Sequence, residues 1–204
     1  MIIIENFNVC YLRNGKMPLI ECTLIEGYSS DTRRLVSERI TDAACSAIGA
    51  SPEFVIVTVK EVTQGNYMRG RSQKIPAPAP IQPDEIVKQF LSSMHNRKLA
   101  DAQKWLADGA EMVFPGGKCF TDLAEILVWA KTRYQSVFKT FDRVETSFNG
   151  KEATVYCHGT LQGIWLDGTN FDGIRFIDRF SISDCKITHQ QVWNDLAEAR
   201  ELRQ

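Results

Sequence analysis

Between Phe171 and Ile182, alternate positions are held by Ile174, Phe176, Asp178, Phe180 and Ile182. A β-strand sends alternate side chains to one face, so Asp178 shares its face with four large apolar groups. A carboxylate so placed is desolvated, which raises its pKa and suits it to take or give a proton in enol chemistry. The competing reading is structural: the carboxylate is paired with an arginine or caps backbone donors, because an unpaired buried charge is strongly disfavoured. Arg175 and Arg179 fall on the opposite face of the same strand and are poor direct partners. His158 alternates with Tyr156, Thr160 and Gln162 on a polar strand face that lines either a pocket or a subunit interface, and a hydrogen-bonded structural histidine is the plainer reading. The three histidines, His95, His158 and His189, fall on distant elements, so no metal site is expected. There is no G-x-G-x-x-G, Walker A, H-E-x-x-H or G-x-S-x-G sequence, which argues against hydride transfer, phosphoryl transfer and zinc hydrolysis, and no cofactor is expected.

These residues need long strands to position them. Phe141 to Phe148, Ala153 to Trp165, Phe171 to Ile182 and Lys186 to Asp195 read as strands, separated by Asn149-Gly150, Asp167-Gly168 and Ser183-Asp184. Before them, Pro83 to Phe90 and Leu99 to Leu106 read as helices, and Thr121 to Glu125 opens a third that runs toward Phe138. Helices followed by a curved antiparallel sheet give an α+β class, with helices closing one side of a cone whose interior is a natural pocket. Trp105, Trp129 and Tyr134 are expected in its core.

The first part of the chain reads differently. Pro18 to Ile25 is a short strand, Gly27 to Asp31 supplies a turn and N-cap residues, and Val36, Ile40, Ala43, Ala44, Ala47 and Ile48 recur at helical spacing before Gly49. Phe54 to Val59 is nearly all apolar and β-branched, as expected of a strand buried on both faces. Strand, helix and strand make a βαβ unit, too small to cover its own sheet, so a homo-oligomer is expected. Prolines at 76, 78, 80 and 83 mark an extended spacer. The expected organisation is an extension over 1–16, a βαβ domain over 17–73, a Pro/Ala linker over 74–83 and an α+β domain over 84–204.

The whole chain has 204 residues, 44% hydrophobic and 24% charged, with a net charge of −1. That balance offers no electrostatic footprint for nucleic acid. No apolar run approaches the ~20 residues of a membrane span, so neither a nucleic-acid nor a membrane partner is expected and the location is read as cytoplasmic. The six cysteines show no C-x-x-C pair and read as free thiols, mostly buried.

Met17-Pro18-Leu19-Ile20-Glu21-Cys22, Glu26-Gly27-Tyr28-Ser29-Ser30 and Glu61 through Asn66-Tyr67-Met68-Arg69-Gly70 together resemble the 4-oxalocrotonate tautomerase family over roughly residues 17–72. The resemblance implies a proline on the first strand whose free secondary amine moves a proton between carbons of a dienol or keto acid. Pro18 matches that proline, Gly27 the turn glycine and Tyr67 the aromatic position. Tyr28 and Ile56 stand where the family carries arginines, which argues against a dicarboxylate substrate, and Arg69 or Arg71 is left to supply a cation. Pro18 follows Met17, and an acylated proline nitrogen has neither a proton nor a basic lone pair. Either Met17 is the true start and is removed, or residues 1–16 form a strand and a bend at Asn14-Gly15 and the proline is retired.

Residues 82–195 resemble a SnoaL-like domain of the nuclear-transport-factor-2-like superfamily. The helical opening, the Phe114-Pro115-Gly116-Gly117 turn, the long strand 171–182 and the terminal Val192-Trp193-Asn194-Asp195 carry this likeness. It implies that Asp195 is either a pocket acid or a surface strand terminus. The combined expectation is an isomerase, tautomerase or cyclase-like enzyme working by acid–base enol chemistry on a small carbonyl compound. Its candidate catalytic groups are Asp178, Asp195 and a freed Pro18, with Tyr28, Tyr67, Arg69, Trp193 and His158 binding substrate. The alternative is a degenerate scaffold that holds a ligand or a protein partner.

Overall fold

Prolines 76, 78, 80 and 83 deny the backbone four donors, and contacts within the chain separate into Met1–Ala79 and Pro80–Gln204. The structure, a computed structural model, describes residues 8–12 and 15–202, with side chains from Met17 onward. Residue 14 of the expected bend lies outside the described residues.

In the first unit, β1 (Asn8–Leu12), β2 (Gly15–Ile25) and β3 (Ile56–Val62) form one sheet in that order, β1 antiparallel and β3 parallel to β2. The crossover between the parallel strands is α1 (Ser30–Ile48). Ser29 caps it by accepting from the Thr32 N–H at 3.1 Å, and Gly49 ends it at φ 68°, a left-handed conformation that costs glycine nothing. Pro18, Ile20, Cys22 and Leu24 of β2 are buried. No residue of α1 or β3 is. Phe54 falls in a 3-10 turn rather than in the strand, and Phe54 and Ile56 are each 43% exposed. The expected doubly buried strand is therefore open on one face, because a single helix covers only one side of a sheet. A two-strand hairpin, β4 (Met68–Arg69) and β5 (Ser72–Gln73), turns through Gly70 and Arg71, both at positive φ.

The second unit places α2 (Pro83–His95), α3 (Leu99–Gln103) and α4 (Leu123–Ala130) with a six-stranded sheet closed by the short α5 (Leu196–Glu201). Its strands are β6 (Leu106–Phe114), β7 (Lys118–Phe120), β8 (Tyr134–Asn149), β9 (Glu152–Trp165), β10 (Asn170–Ser183) and β11 (Lys186–Asn194). The order is β7-β6-β11-β10-β9-β8, antiparallel except for β6 with β11. Ile86, Val87 and Phe90 of α2 are buried against Val155, Cys157, Phe180, Ile182 and Ile187. Phe90 meets Phe180 edge to face at 6.0 Å. Two glycines of β9 let the neighbouring strand come unusually close. A Cβ on Gly159 would lie 2.0 Å from the Thr140 carbonyl oxygen, and one on Gly163 2.1 Å from that of Ser136, so the β8 backbone approaches as only glycine permits.

Two helices are shorter than their pattern suggests. The second ends at Gln103, since the Trp105 carbonyl already accepts from the Ile187 N–H at 2.8 Å as β6 begins. The third ends at Ala130, and Tyr134 starts the longest strand instead. Pairing with β9 along almost all of β8 overrides helix periodicity there. The described thiols are less buried than expected: Cys22 and Cys157 are buried, Cys45 is intermediate, and Cys119 and Cys185 are exposed, the Cys10 side chain lying outside the described residues. Among the described residues no helix is long and apolar enough to cross a membrane.

Candidate functional site

The alternation on β10 holds: Ile174, Phe176, Asp178, Phe180 and Ile182 are all buried, and Asp178 is 0% exposed. Asp178 lies opposite Cys157 on β9 and Val192 on β11. It also marks a boundary. On one side lies the helix-covered core with Val155, Cys157 and Phe180, and on the other a smaller cluster of Leu161, Trp165, Phe171, Ile174 and Phe176.

Its partner is Lys139, whose Nζ donates to Asp178 Oδ2. This lysine sits on β8 opposite Leu161, a buried residue of β9, and so points to the same face of the sheet. The ammonium also lies 4.7 Å from the centroid of the Phe176 ring, which Phe141 meets edge-on at 5.6 Å. Asp178 Oδ1, by contrast, is buried with no hydrogen-bond partner. Burial pushes the Asp178 carboxyl above the ordinary carboxylate range, and the charge and hydrogen bond of Lys139 oppose that shift without cancelling it. Burial, with a smaller contribution from Asp178, pushes the neighbouring Cys157 thiol up to about 12, so this cysteine is a packed thiol and no nucleophile at neutral pH. A buried carboxylate with one free lone-pair face and a movable cation beside it can take a proton from carbon and return it elsewhere.

Sequence reasoning found Asp178 and missed Lys139. The signal was present, since Lys139 is flanked at two-residue spacing by Val137 and Phe141. Reading the preceding helix through to Phe138 concealed it by assigning a 3.6-residue period to a segment whose period is two.

The other predicted residues lie elsewhere. Asp195 accepts from Arg175 Nε at 2.6 Å in a largely exposed pair, on the sheet face opposite Asp178. Trp193 is 48% exposed and pairs in register with Ile177, likewise away from Asp178. His158 lies between Ile177 and Arg143 on that same outer face. A cavity of about 340 Å³ opens between α2 and α3, but its lining, which includes Gln89, Ser93, Asn96 and Trp105, contains neither Asp178 nor Lys139.

In the first unit Pro18 is buried within β2, opposite Val9 of β1, and its nitrogen is the amide of the Met17–Pro18 bond. Tyr28 follows the far end of β2, and Tyr67 and Arg69 follow β3, whose last residue pairs with Ile25. Seven residue steps of strand run from Pro18 to that end at Ile25, ~23 Å at about 3.3 Å each. Pro18 and Tyr28 therefore lie toward opposite ends of β2. What the far end does assemble is a lock, in which Arg33 Nη1 donates to the Tyr28 carbonyl at 2.6 Å and to Glu61 Oε1 at 3.0 Å. Among the described residues no cluster of His, Cys, Asp and Glu could hold a metal ion.

Comparison with known proteins divides along the same line. The family model described as tautomerase enzyme matches residues 18–73. A probable tautomerase of Halalkalibacterium halodurans is 33% identical over 51 residues, 25% of this chain and 84% of that protein. The second unit is similar to solved structures. A nuclear-transport-factor-2-like protein of Burkholderia thailandensis aligns with a TM-score of 0.50 at 17% identity, covering 61% of this chain and 98% of its own. A like protein of unknown function from Burkholderia pseudomallei gives 0.48 at 16% identity, covering 60% and 98%. At such identities the first of these two matches establishes the fold alone.

Proposed function

The chain belongs to the tautomerase family through residues 18–73, and from that premise we propose that it is an isomerase of small carbonyl compounds whose acid–base chemistry is carried by Asp178 in the second unit. The observation that carries this reading is the fully buried Asp178 carboxylate with an unpartnered Oδ1. A raised pKa makes a carboxylate a stronger base, closer to the operating pH at which proton transfer from carbon is efficient. Oδ1 removes a proton from the carbon next to the substrate carbonyl, and the same group returns it to a second carbon of the resulting enol. The buried side chains of Phe176 and Leu161 make the surroundings apolar and keep bulk water from competing for that proton.

Pro18 plays no part in this chemistry while its nitrogen is acylated by Met17, and Tyr28 and Ile56 stand where the resemblance implies arginines. We assign the first unit an assembly role in the acylated form. The test is solvent deuterium incorporation into a panel of simple enolisable ketones and enones, followed by NMR. Exchange accelerated by the native chain and lost in Asp178→Asn supports the proposal. Equal exchange in both proteins removes Asp178 from it, and a binding module becomes the better reading.

A further inference from the structure

The charges around Asp178 close on themselves, and that limits what can react there. Asp178 and Lys139 face each other on the inner side of the sheet, while Arg175 and Arg179 belong to the outer face, held by Asp195 and Gln191. The two partners differ in freedom. The Asp178 side chain is 0% exposed and is fixed between β9 and β11, whereas that of Lys139 is 26% exposed and stands on the edge strand β8. Four rotatable bonds let the ammonium leave the carboxylate without moving the backbone.

From this we propose that Lys139 is the cation that receives the developing oxyanion, and that its pairing with Asp178 restricts the site to uncharged carbonyl substrates. The inference rests on the isomerase reading above. At rest the carboxylate and ammonium sum to zero. When Asp178 Oδ1 takes the α-proton, the C–H bond breaks, its electron pair moves into the C–C bond of the enolate and the carbonyl π pair moves onto oxygen. Asp178 becomes a neutral acid, and the ammonium, released from it, is the one inner-face cation among those named that can meet the enolate oxygen. The sum is again zero, so no net charge appears in the buried site at any stage. A carboxylate-bearing substrate would add a negative charge with no second cation to balance it, at the large cost of an unpaired buried charge. The Phe176 ring beneath the ammonium holds the released cation over an electron-rich face.

The test uses 4-nitrophenol, whose phenolate mimics an enolate and absorbs distinctly from the neutral phenol, with 4-nitrobenzoate as the permanently charged probe. In Asp178→Asn the ammonium loses its internal anion, so phenolate affinity rises by roughly ten-fold or more over the native chain, the scale of one charge-assisted hydrogen bond. Lys139→Met abolishes the phenolate band, and Lys139→Arg restores part of it. The double variant Asp178→Asn, Lys139→Met leaves neither charge buried, and it must fold and fail to bind phenolate. The native chain binds neutral 4-nitrophenol in preference to 4-nitrobenzoate, and Asp178→Asn reverses that order. Phenolate binding that survives Lys139→Met, or that fails to rise in Asp178→Asn, overturns the proposal. If these binding results hold while no ketone exchanges deuterium, the oxyanion site stands and the isomerase reading falls, so the two failures are distinguishable.

Discussion

The two larger sheets among the described residues solve the burial problem in opposite ways. In the first unit a 19-residue helix contributes no buried residue and the adjacent strand is half open. In the second unit a 13-residue helix buries Ile86, Val87 and Phe90 against a sheet that curls around them. Each unit carries one candidate proton-transfer residue on its sheet, Pro18 or Asp178. In the first sheet about 23 Å of strand runs from Pro18 to the end that leads to Tyr28, whereas in the second Lys139 is brought from two strands away onto Asp178. In the second unit strand order and register, more than residue type, bring the two charges together.

The sharpest way to break this contrast is to disable each residue in turn. Asp178→Asn keeps the shape of the side chain and is expected to reduce turnover per folded molecule by roughly 10²–10⁴, the usual contribution of a positioned acid or base. Pro18→Ala leaves turnover unchanged for as long as residue 18 is acylated. Intact-mass measurement of protein from its native host settles which form exists, because only a chain beginning at Pro18 has an amine with a pKa near 7.7–8. A larger loss from Pro18→Ala than from Asp178→Asn would reverse the assignment of chemistry to the second unit.

Core truncations sharpen the same contrast through stability. Phe180→Ala empties a fully buried site packed on Phe90 and should cost about 3–5 kcal/mol in chemical denaturation. Val36→Ala on the half-buried face of α1 should cost under about 1 kcal/mol in a monomer. If the open sheet of the first unit is covered by further copies, light scattering gives a multiple of the 23.1 kDa chain mass, the melting temperature rises with concentration, and Val36→Ala becomes much more costly. A concentration-independent monomer would show that this face needs no partner.

The effect of pH is smaller and has a definite sign. Burial raises the Asp178 carboxyl in the folded state, so the native chain holds that proton over a range in which the unfolded chain has released it. Its contribution to stability is therefore largest at low pH and declines as pH rises from about 3.9, the unfolded value, through the raised folded one. Asp178→Asn should flatten that limb of a melting-temperature profile, and an unaltered limb would assign it to other groups. The least perturbing test is alkylation at pH 8. Exposed Cys119 and Cys185 label first, while Cys157, buried and pushed up to about 12, labels only on unfolding. Early labelling of Cys157, read by peptide mapping, would mean that the inner face opens readily to solvent.

Much of this was legible from local pattern. The period-two run around Asp178 determined its burial, because a one-residue slip would expose four large apolar groups. Ser29, Gly49 and the Pro/Ala run fixed where the first helix starts and stops and where extended chain follows, since capping and proline geometry act within a few residues. The βαβ order and the helices-then-strands order gave the α+β class. Only the tertiary structure decided the rest. It alone showed where α4 stops, because β8 is a strand only by virtue of β9 beside it, and it alone brought Lys139 to Asp178. It also turned Asp195, Trp193 and His158 to the outer face and buried Pro18 within β2, toward the end away from Tyr28. Periodicity reports which side of its own element a residue takes, but which residues meet across elements depends on register, strand order and the close strand approach that Gly159 and Gly163 allow, and no single segment of sequence encodes these.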